Sequence, residues 1–299
     1  MSFRARSIYF LMRLVGSLPL KFHYFWADSV TWILKNVVHY RYSVVYTNLA
    51  RSFPDLKYWE LDKIVKDFYK HFAEMFAETI WFAGCYHKPE RLRKQKIMEV
   101  VNQEVFNEAY DSAPSVTVLT SHCGNWELLG GICSYNFNDN VPVVTQEHLY
   151  VVYKELHNKV SDEVFKMNRR SPMVGYEGML ESKEILRFVM NNKDRKLGYY
   201  IIGDQYPYQT KVELDGLFLN QKTLGMIAAF KLACKLSHAV LFARIDREER
   251  GHYKLRYEKI CDNASDFTPE ELMRKYFDLL EEQIKENPSN WLWTHKRWK

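Results

Sequence analysis

The chain has 299 residues, 47% of them hydrophobic and 15% aromatic, with a formal net charge of +5. That apolar share is ample for a core, in one large domain or two small ones. The five cysteines, at positions 85, 123, 133, 234 and 261, have no paired spacing; this excludes a zinc signature or CxxC redox pair and points to reduced thiols in a cytosolic compartment.

The charge is uneven. Through Arg51, the cations Arg4, Arg6, Arg13, Lys21, Lys35, Arg41 and Arg51 face only Asp28, so this segment carries the whole positive excess. The same stretch is rich in Phe, Tyr, Trp, Leu and Val, a mixture suited to interfacial helices on an anionic membrane surface. At roughly 1 kcal/mol per basic residue near anionic lipid, it supplies several kcal/mol of attachment. Residues 8–20 contain Arg13 and end at Pro19-Leu20, and residues 22–38 are interrupted by Asp28 and Lys35. Neither gives the roughly 20 clean apolar residues of a span, although one imperfect span near 8–20 stays open. No small-residue cleavage site follows the first apolar run, against a signal peptide. The cations sit among apolar residues rather than on a polar face, which argues for a membrane and no nucleic acid. We therefore divide the chain into residues 1–54, a basic, aromatic membrane-associating helical segment, and residues 55–299, a catalytic domain.

Residues 55–82 have long helical character, with Ile64, Val65, Phe68, Phe72, Met75 and Phe76 at helical spacing. Residues 100–110 read as a helix, 115–120 as a buried β-branched strand, and 141–145 as a second short strand. Helices are predicted over 149–167, 177–190 and 223–236, and strands over 197–202, 239–245 and 252–257. Thr268, Pro269 and Glu271 form the sequence of a capping box, opening a helix that runs to about Glu286. Strands alternating with helices give an α/β class: a mixed sheet flanked by helices, behind the N-terminal helical segment.

Ser121-His122-Cys123-Gly124-Asn125-Trp126-Glu127 follows the 115–120 strand at the predicted start of a helix weakened by Gly130 and Gly131. A His just past a strand end with a Glu on the next helical turn can form a base and its orienting carboxylate. A structural His is the plain alternative. Cys123 beside it is more readily a small buried hydrophobe than a nucleophile. Gly203-Asp204-Gln205 follows the 197–202 strand; ligands collect at the carboxyl ends of strands, so the two motifs are expected to face one cleft.

His122-x4-Glu127, Gly203-Asp204-Gln205 and the ending Trp291-Leu292-Trp293-Thr294-His295-Lys296-Arg297-Trp298-Lys299 together resemble the late acyltransferases of bacterial lipid A biosynthesis, within the wider lysophospholipid acyltransferase superfamily. Leu18-Pro19, residues 46–54 and residues 218–223 resemble that family too. The resemblance implies an enzyme at the cytoplasmic face of the inner membrane. It would move a fatty acyl group from an acyl carrier protein thioester to a hydroxyl of a lipid A precursor, with no metal, no cofactor and no acyl-enzyme. By the same resemblance His122 is the base, Glu127 its orienting carboxylate, and Asp204 the Asp of its block, set to hold an arginine or a sugar hydroxyl.

The residues agree with such chemistry. A positioned base is worth on the order of 10²–10⁴ in rate to an alcohol nucleophile, and a donor at the thioester oxygen about another 10²–10³. Backbone N–H groups near Gly124–Trp126, or a basic side chain, are candidates for that donor. Asn125, Arg169, Arg170, Asp204, Gln205 and Thr223 are the candidate substrate-binding residues. For Arg169 and Arg170 the alternative is a solvated helix end, for Asp204 a turn, and for Thr223 a helix cap, which we favour. The tail is expected to be partly packed, with Lys296, Arg297 and Lys299 as exposed cations. Thr145-Gln146-Glu147 stands where many family members have a Tyr-Arg-Pro run. That departure keeps open another acceptor: an aminolipid, a glycerolipid or a pigment conjugate. A non-catalytic membrane-surface protein is the third reading.

Overall fold

The computed structural model describes residues 2–138, 140–173, 175–207 and 211–298. Lys299, counted above among the tail's cations, lies outside them. Three helices open the chain, α1 (Phe3–Gly16), α2 (Leu20–Asn36) and α3 (Tyr42–Ser52), and all three pack on α4 (Tyr58–Ala83). With 26 residues α4 is about 39 Å long. The packing seam of α1 and α2 is narrow: Ala5, Tyr9, Leu20, Tyr24 and Ala27 are buried. Their opposite side stays open, with Phe3 84%, Phe10 57%, Leu11 59%, Phe25 68% and Trp32 61% exposed. Among the described residues no helix is long and apolar enough to cross a membrane.

The rest alternates: α5 (Pro89–Gln95), β1 (Met98–Val100), α6 (Gln103–Ser112), β2 (Val116–Thr120), a 3-10 helix (Trp126–Ser134), β3 (Asn136–Phe137), β4 (Leu149–Tyr153), α7 (Lys159–Arg169), β5 (Met179–Glu181), α8 (Ile185–Asn191), β6 (Gly198–Ile202), β7 (Lys211–Glu213), β8 (Leu224–Met226), α9 (Ala228–Lys235), β9 (Ala239–Glu249), β10 (His252–Cys261) and α10 (Pro269–Glu286). Eight strands form one sheet in the order β3-β1-β10-β9-β2-β6-β4-β5, and β7 pairs with β8 apart from it. Among the described residues, the β9–β10 pairing is antiparallel and the other pairings of the large sheet are parallel. The class is α/β with a mixed sheet, as expected. Because side chains alternate across a strand, the sheet splits its core in two. Val116, Val118, Leu241 and Ala243 join one cluster with Phe106 and Ile132. Leu119, Val240 and Phe242 join the other with α4 and α10. The capping box forms as read: Thr268 Oγ1 accepts from the Glu271 N–H, and the Glu271 carboxylate accepts from the Thr268 N–H.

Four predicted elements differ. Residues 141–145 are not a strand; Pro142 breaks the run, and Val141 and Val143 are exposed. The strand is instead β4, at the front of the predicted 149–167 helix. Leu149-Tyr150-Val151-Val152-Tyr153 is aromatic and β-branched, and pairing with β5 and β6 on its two sides overrides the helical spacing. The predicted 177–190 helix gives its first residues to edge strand β5 for the same reason, and the helix is α8. The predicted 223–236 helix gives Leu224–Met226 to the β7–β8 hairpin and begins at Ala228. Thr223 therefore caps nothing.

Thr145-Gln146-Glu147 now precedes β4, which runs parallel to β6 and β2. The block lies at the amino ends of these strands, and His122 follows the carboxyl end of β2.

Candidate active site

Strand pairing assembles the site. β2 and β6 are parallel with Thr120 beside Ile202, so the residue two beyond each strand end, His122 and Asp204, are brought into register. The His122 Nδ1–H donates to Asp204 Oδ1 at 2.6 Å, and the His122 backbone N–H donates to Oδ2 at 3.0 Å. The Trp291 indole N–H donates to the same Oδ2 at 2.7 Å. Burial by itself raises the Asp204 carboxyl; the His122 ring opposite it and these donors outweigh that and hold it at about 2. A carboxylate so fixed keeps the proton on Nδ1 and leaves the Nε2 lone pair free to accept. Nε2 lies 3.1 Å from the Gln205 side-chain amide, which donates to it, and the ring stands edge-on to Trp126. His122 is not fully closed off, with 15% of the side chain exposed.

Glu127 was expected to orient His122, and it does not. Among the described residues no hydrogen bond joins the two. Glu127 instead receives a two-pronged bond from Arg169, Nε to Oε2 and Nη2 to Oε1, each 2.7 Å. The reason is local geometry. Gly124 adopts φ +61°, and the 3-10 helix that follows carries Glu127 toward the end of α7. Gly130 permits that approach, since a Cβ there would collide with the Arg169 carbonyl. The glycines that weakened the predicted helix thus seat it against α7. Burial depresses the Arg169 guanidinium, but Glu127 more than offsets this and the net shift is upward.

The other candidates divide. Asn125 is buried and holds the loop to α4: its Nδ2 donates to Glu78 Oε2 at 2.9 Å. Tyr24 and Tyr253 hydroxyls also donate to Glu78, at 2.8 and 2.7 Å. Burial raises that carboxyl, and the three donors offset part of the rise. Asn125 is therefore an anchor and not open to substrate. Thr223 Oγ1 accepts from Arg297 at 2.5 Å, and Arg170 pairs with Glu177 at 3.1 Å beside a groove on α1. Arg297, expected among the exposed cations, is fully buried; burial lowers its guanidinium to about 10. Lys296 is exposed. Cys123 is buried, which pushes its thiol well above its ordinary range, away from nucleophilic use.

Sequence reasoning missed three supports. The tail pins the His loop: Gly124 N–H donates to Asn290 O at 3.0 Å and Leu292 N–H to His122 O at 3.1 Å. The Gly124 N–H is thereby spent, so it is not a donor to a reacting carbonyl. Glu78 and His71 are polar residues on the buried face of α4, and polarity within that apolar stripe is the sequence signal that marks them. His71 Nε2–H donates to Gly124 O at 3.2 Å.

Acid sensitivity follows from buried imidazoles. Burial, and then Arg247, push His71 from 6.5 to about 3; burial pushes His238 from 6.5 to about 4. Below 6.5 the unfolded chain binds protons at both residues that the folded chain refuses, so stability falls as pH falls, by up to about 1.4 kcal/mol per pH unit for each. Asp204 acts lower: its contribution is full above its unfolded value of 3.8 and is lost as pH falls through about 2. Urea melts between pH 7 and 4.5 are expected to show this slope, and His238→Asn is expected to reduce it by about half. An unchanged slope in that variant would refute the assignment.

The family described as bacterial lipid A biosynthesis acyltransferase matches this chain over residues 5–299. No curated protein matches the chain.

Proposed function

From the premise that the chain belongs to the bacterial lipid A biosynthesis acyltransferases, and is thereby an O-acyltransferase with a lipid acceptor and an acyl donor, we propose that it moves a fatty acyl chain from an acyl carrier protein thioester to a hydroxyl of a lipid A precursor. The observation that carries the chemistry is the 2.6 Å bond from His122 Nδ1 to Asp204. It fixes the tautomer that a base needs, with the Nε2 lone pair left to accept. The acceptor hydroxyl takes the place of the Gln205 amide at Nε2. Its oxygen attacks the thioester carbonyl carbon while its proton passes to Nε2. The carbon–sulfur bond then breaks, and the imidazolium returns the proton to the leaving thiolate. No acyl-enzyme forms. Asp204 stays ionised and stabilises the imidazolium, as a triad carboxylate does. Glu127 holds the Arg169 guanidinium, whose charge suits the developing oxyanion or an anionic acceptor.

The open apolar sides of α1 and α2 support attachment to the cytoplasmic face of the inner membrane. Both helices leave large apolar residues exposed among cations, and exposed apolar surface of this kind suits a membrane interface. A purified acyl carrier thioester offered with a panel of acceptors tests the reading. Label is expected on the lipid A precursor; label confined to an aminolipid or glycerolipid overturns the acceptor, and label on none overturns the donor.

A further inference from the structure

A groove of about 520 Å³ lies between α1 and the segment after α7. Arg6, Phe10, Arg13, His87, Arg170 and Glu177 line it, with the Tyr86 ring. Among the described residues, three arginines line it against a single carboxylate. Glu177 holds Arg170 Nη1 at 3.1 Å but is itself 83% exposed, and among the described residues Arg170 Nε is buried without a partner. Among the described residues neither Arg6 nor Arg13 pairs with a carboxylate. Arg13 is held flat over the Tyr86 ring, 3.7 Å from its centroid, which orders the guanidinium without neutralising it.

The position of these cations on α1 selects the occupant. At about 100° per residue, Arg6 and Arg13 lie within about 20° of each other. On one side of them runs the buried seam of Ala5, Tyr9 and Gly16, and on the other the exposed ridge of Phe3, Phe10 and Leu14. The arginines therefore occupy the boundary between protein core and apolar surface. If that surface meets a bilayer, as read above, the boundary falls at the level of the lipid headgroups. Phosphate matches guanidinium forks in shape and charge. We propose that this groove is a binding site for the phosphate of a membrane lipid headgroup, separate from His122, and that it sets the lipid on which the protein rests.

The test uses the full chain and vesicles of two kinds at equal surface potential. One carries phosphatidic acid in phosphatidylcholine; the other carries oleate in phosphatidylcholine. Sedimentation is expected to show about a tenfold preference for the phosphate vesicles, or about 1.4 kcal/mol. Arg6→Gln/Arg13→Gln is expected to abolish that preference. Arg4→Gln/Lys21→Gln removes equal charge from α1 and α2 outside the groove and is expected to keep it. Equal loss in both pairs would mean a diffuse field and overturn the proposal, as would a wild type with no preference. Displacement by millimolar inorganic phosphate at constant ionic strength would assign the groove to free phosphate and overturn the headgroup. Arg6→Gln alone, on an exposed side chain, serves if the double variant does not fold; it is expected to lose at least half of the preference. Binding to pure phosphatidylcholine reports the apolar surface separately, so failure of that underlying reading is distinguishable.

Discussion

His122→Ala is expected to lower kcat/KM for acyl transfer by on the order of 10²–10⁴, the usual worth of a positioned general base. Asp204→Asn is expected to come close to it. The Asn amide presents a donor as readily as an acceptor to Nδ1, so the tautomer with the free Nε2 is no longer enforced. The charge that steadies the imidazolium is also gone. In serine proteases the same change costs about 10⁴ in kcat. The sharper forecast concerns the combination. Residues that work as a unit are not additive, so His122→Ala/Asp204→Asn is expected to be no slower than His122→Ala alone, within about twofold. A further loss in the double variant would show that Asp204 acts apart from His122. Transfer by His122→Ala at near wild-type rate would remove the base altogether.

How much of this was legible beforehand depends on whether local pattern or long-range pairing decides a residue's place. β2, β6, β9 and β10 are continuous apolar or alternating runs, and their sequences already carry the strand signal. The box at Thr268 is written in three residues and formed as read. β4 failed because Leu149, Val151 and Val152 are apolar at spacings that satisfy strand and helix alike, and only partners on both sides choose between them. The carboxylate partner of His122 failed for a related reason. Glu127 is five positions away along the chain, and Asp204 is 82. The nearer residue invites pairing, but a turn at Gly124 and the 3-10 helix carry it off, while parallel register brings the distant one to hydrogen-bonding distance. A slip of one residue between β2 and β6 would have turned the two side chains to opposite faces. His122, Asp204 and Gln205 were all named from the sequence; who holds whom was not.

Glu127 and Arg169 should separate anchoring from chemistry. Their side chains are 12% and 18% exposed, and both prongs of the fork are 2.7 Å, so this pair is closer to a buried than to a surface bridge. Removing one partner strands the other charge away from water. Arg169→Met is therefore expected to destabilise the fold by about 3–5 kcal/mol, read by urea melts. Glu127→Gln/Arg169→Met leaves no stranded charge and is expected to recover at least half of that loss. If the pair is only a brace, acyl transfer should return with stability. If the guanidinium also faces the developing oxyanion or an anionic acceptor, transfer stays down by on the order of 10²-fold in the restabilised double variant, because the donor is still missing. Arg169→Lys sharpens the distinction. An ammonium keeps the charge but cannot bridge both Glu127 oxygens in one plane, so Glu127 would be held at one point and the cation would sit displaced. Stability within about 1 kcal/mol of wild type combined with a clear drop in kcat would then assign Arg169 to the reaction. Wild-type kcat in Arg169→Lys would leave it as a brace for the His122 loop and return the oxyanion to other donors near Trp126.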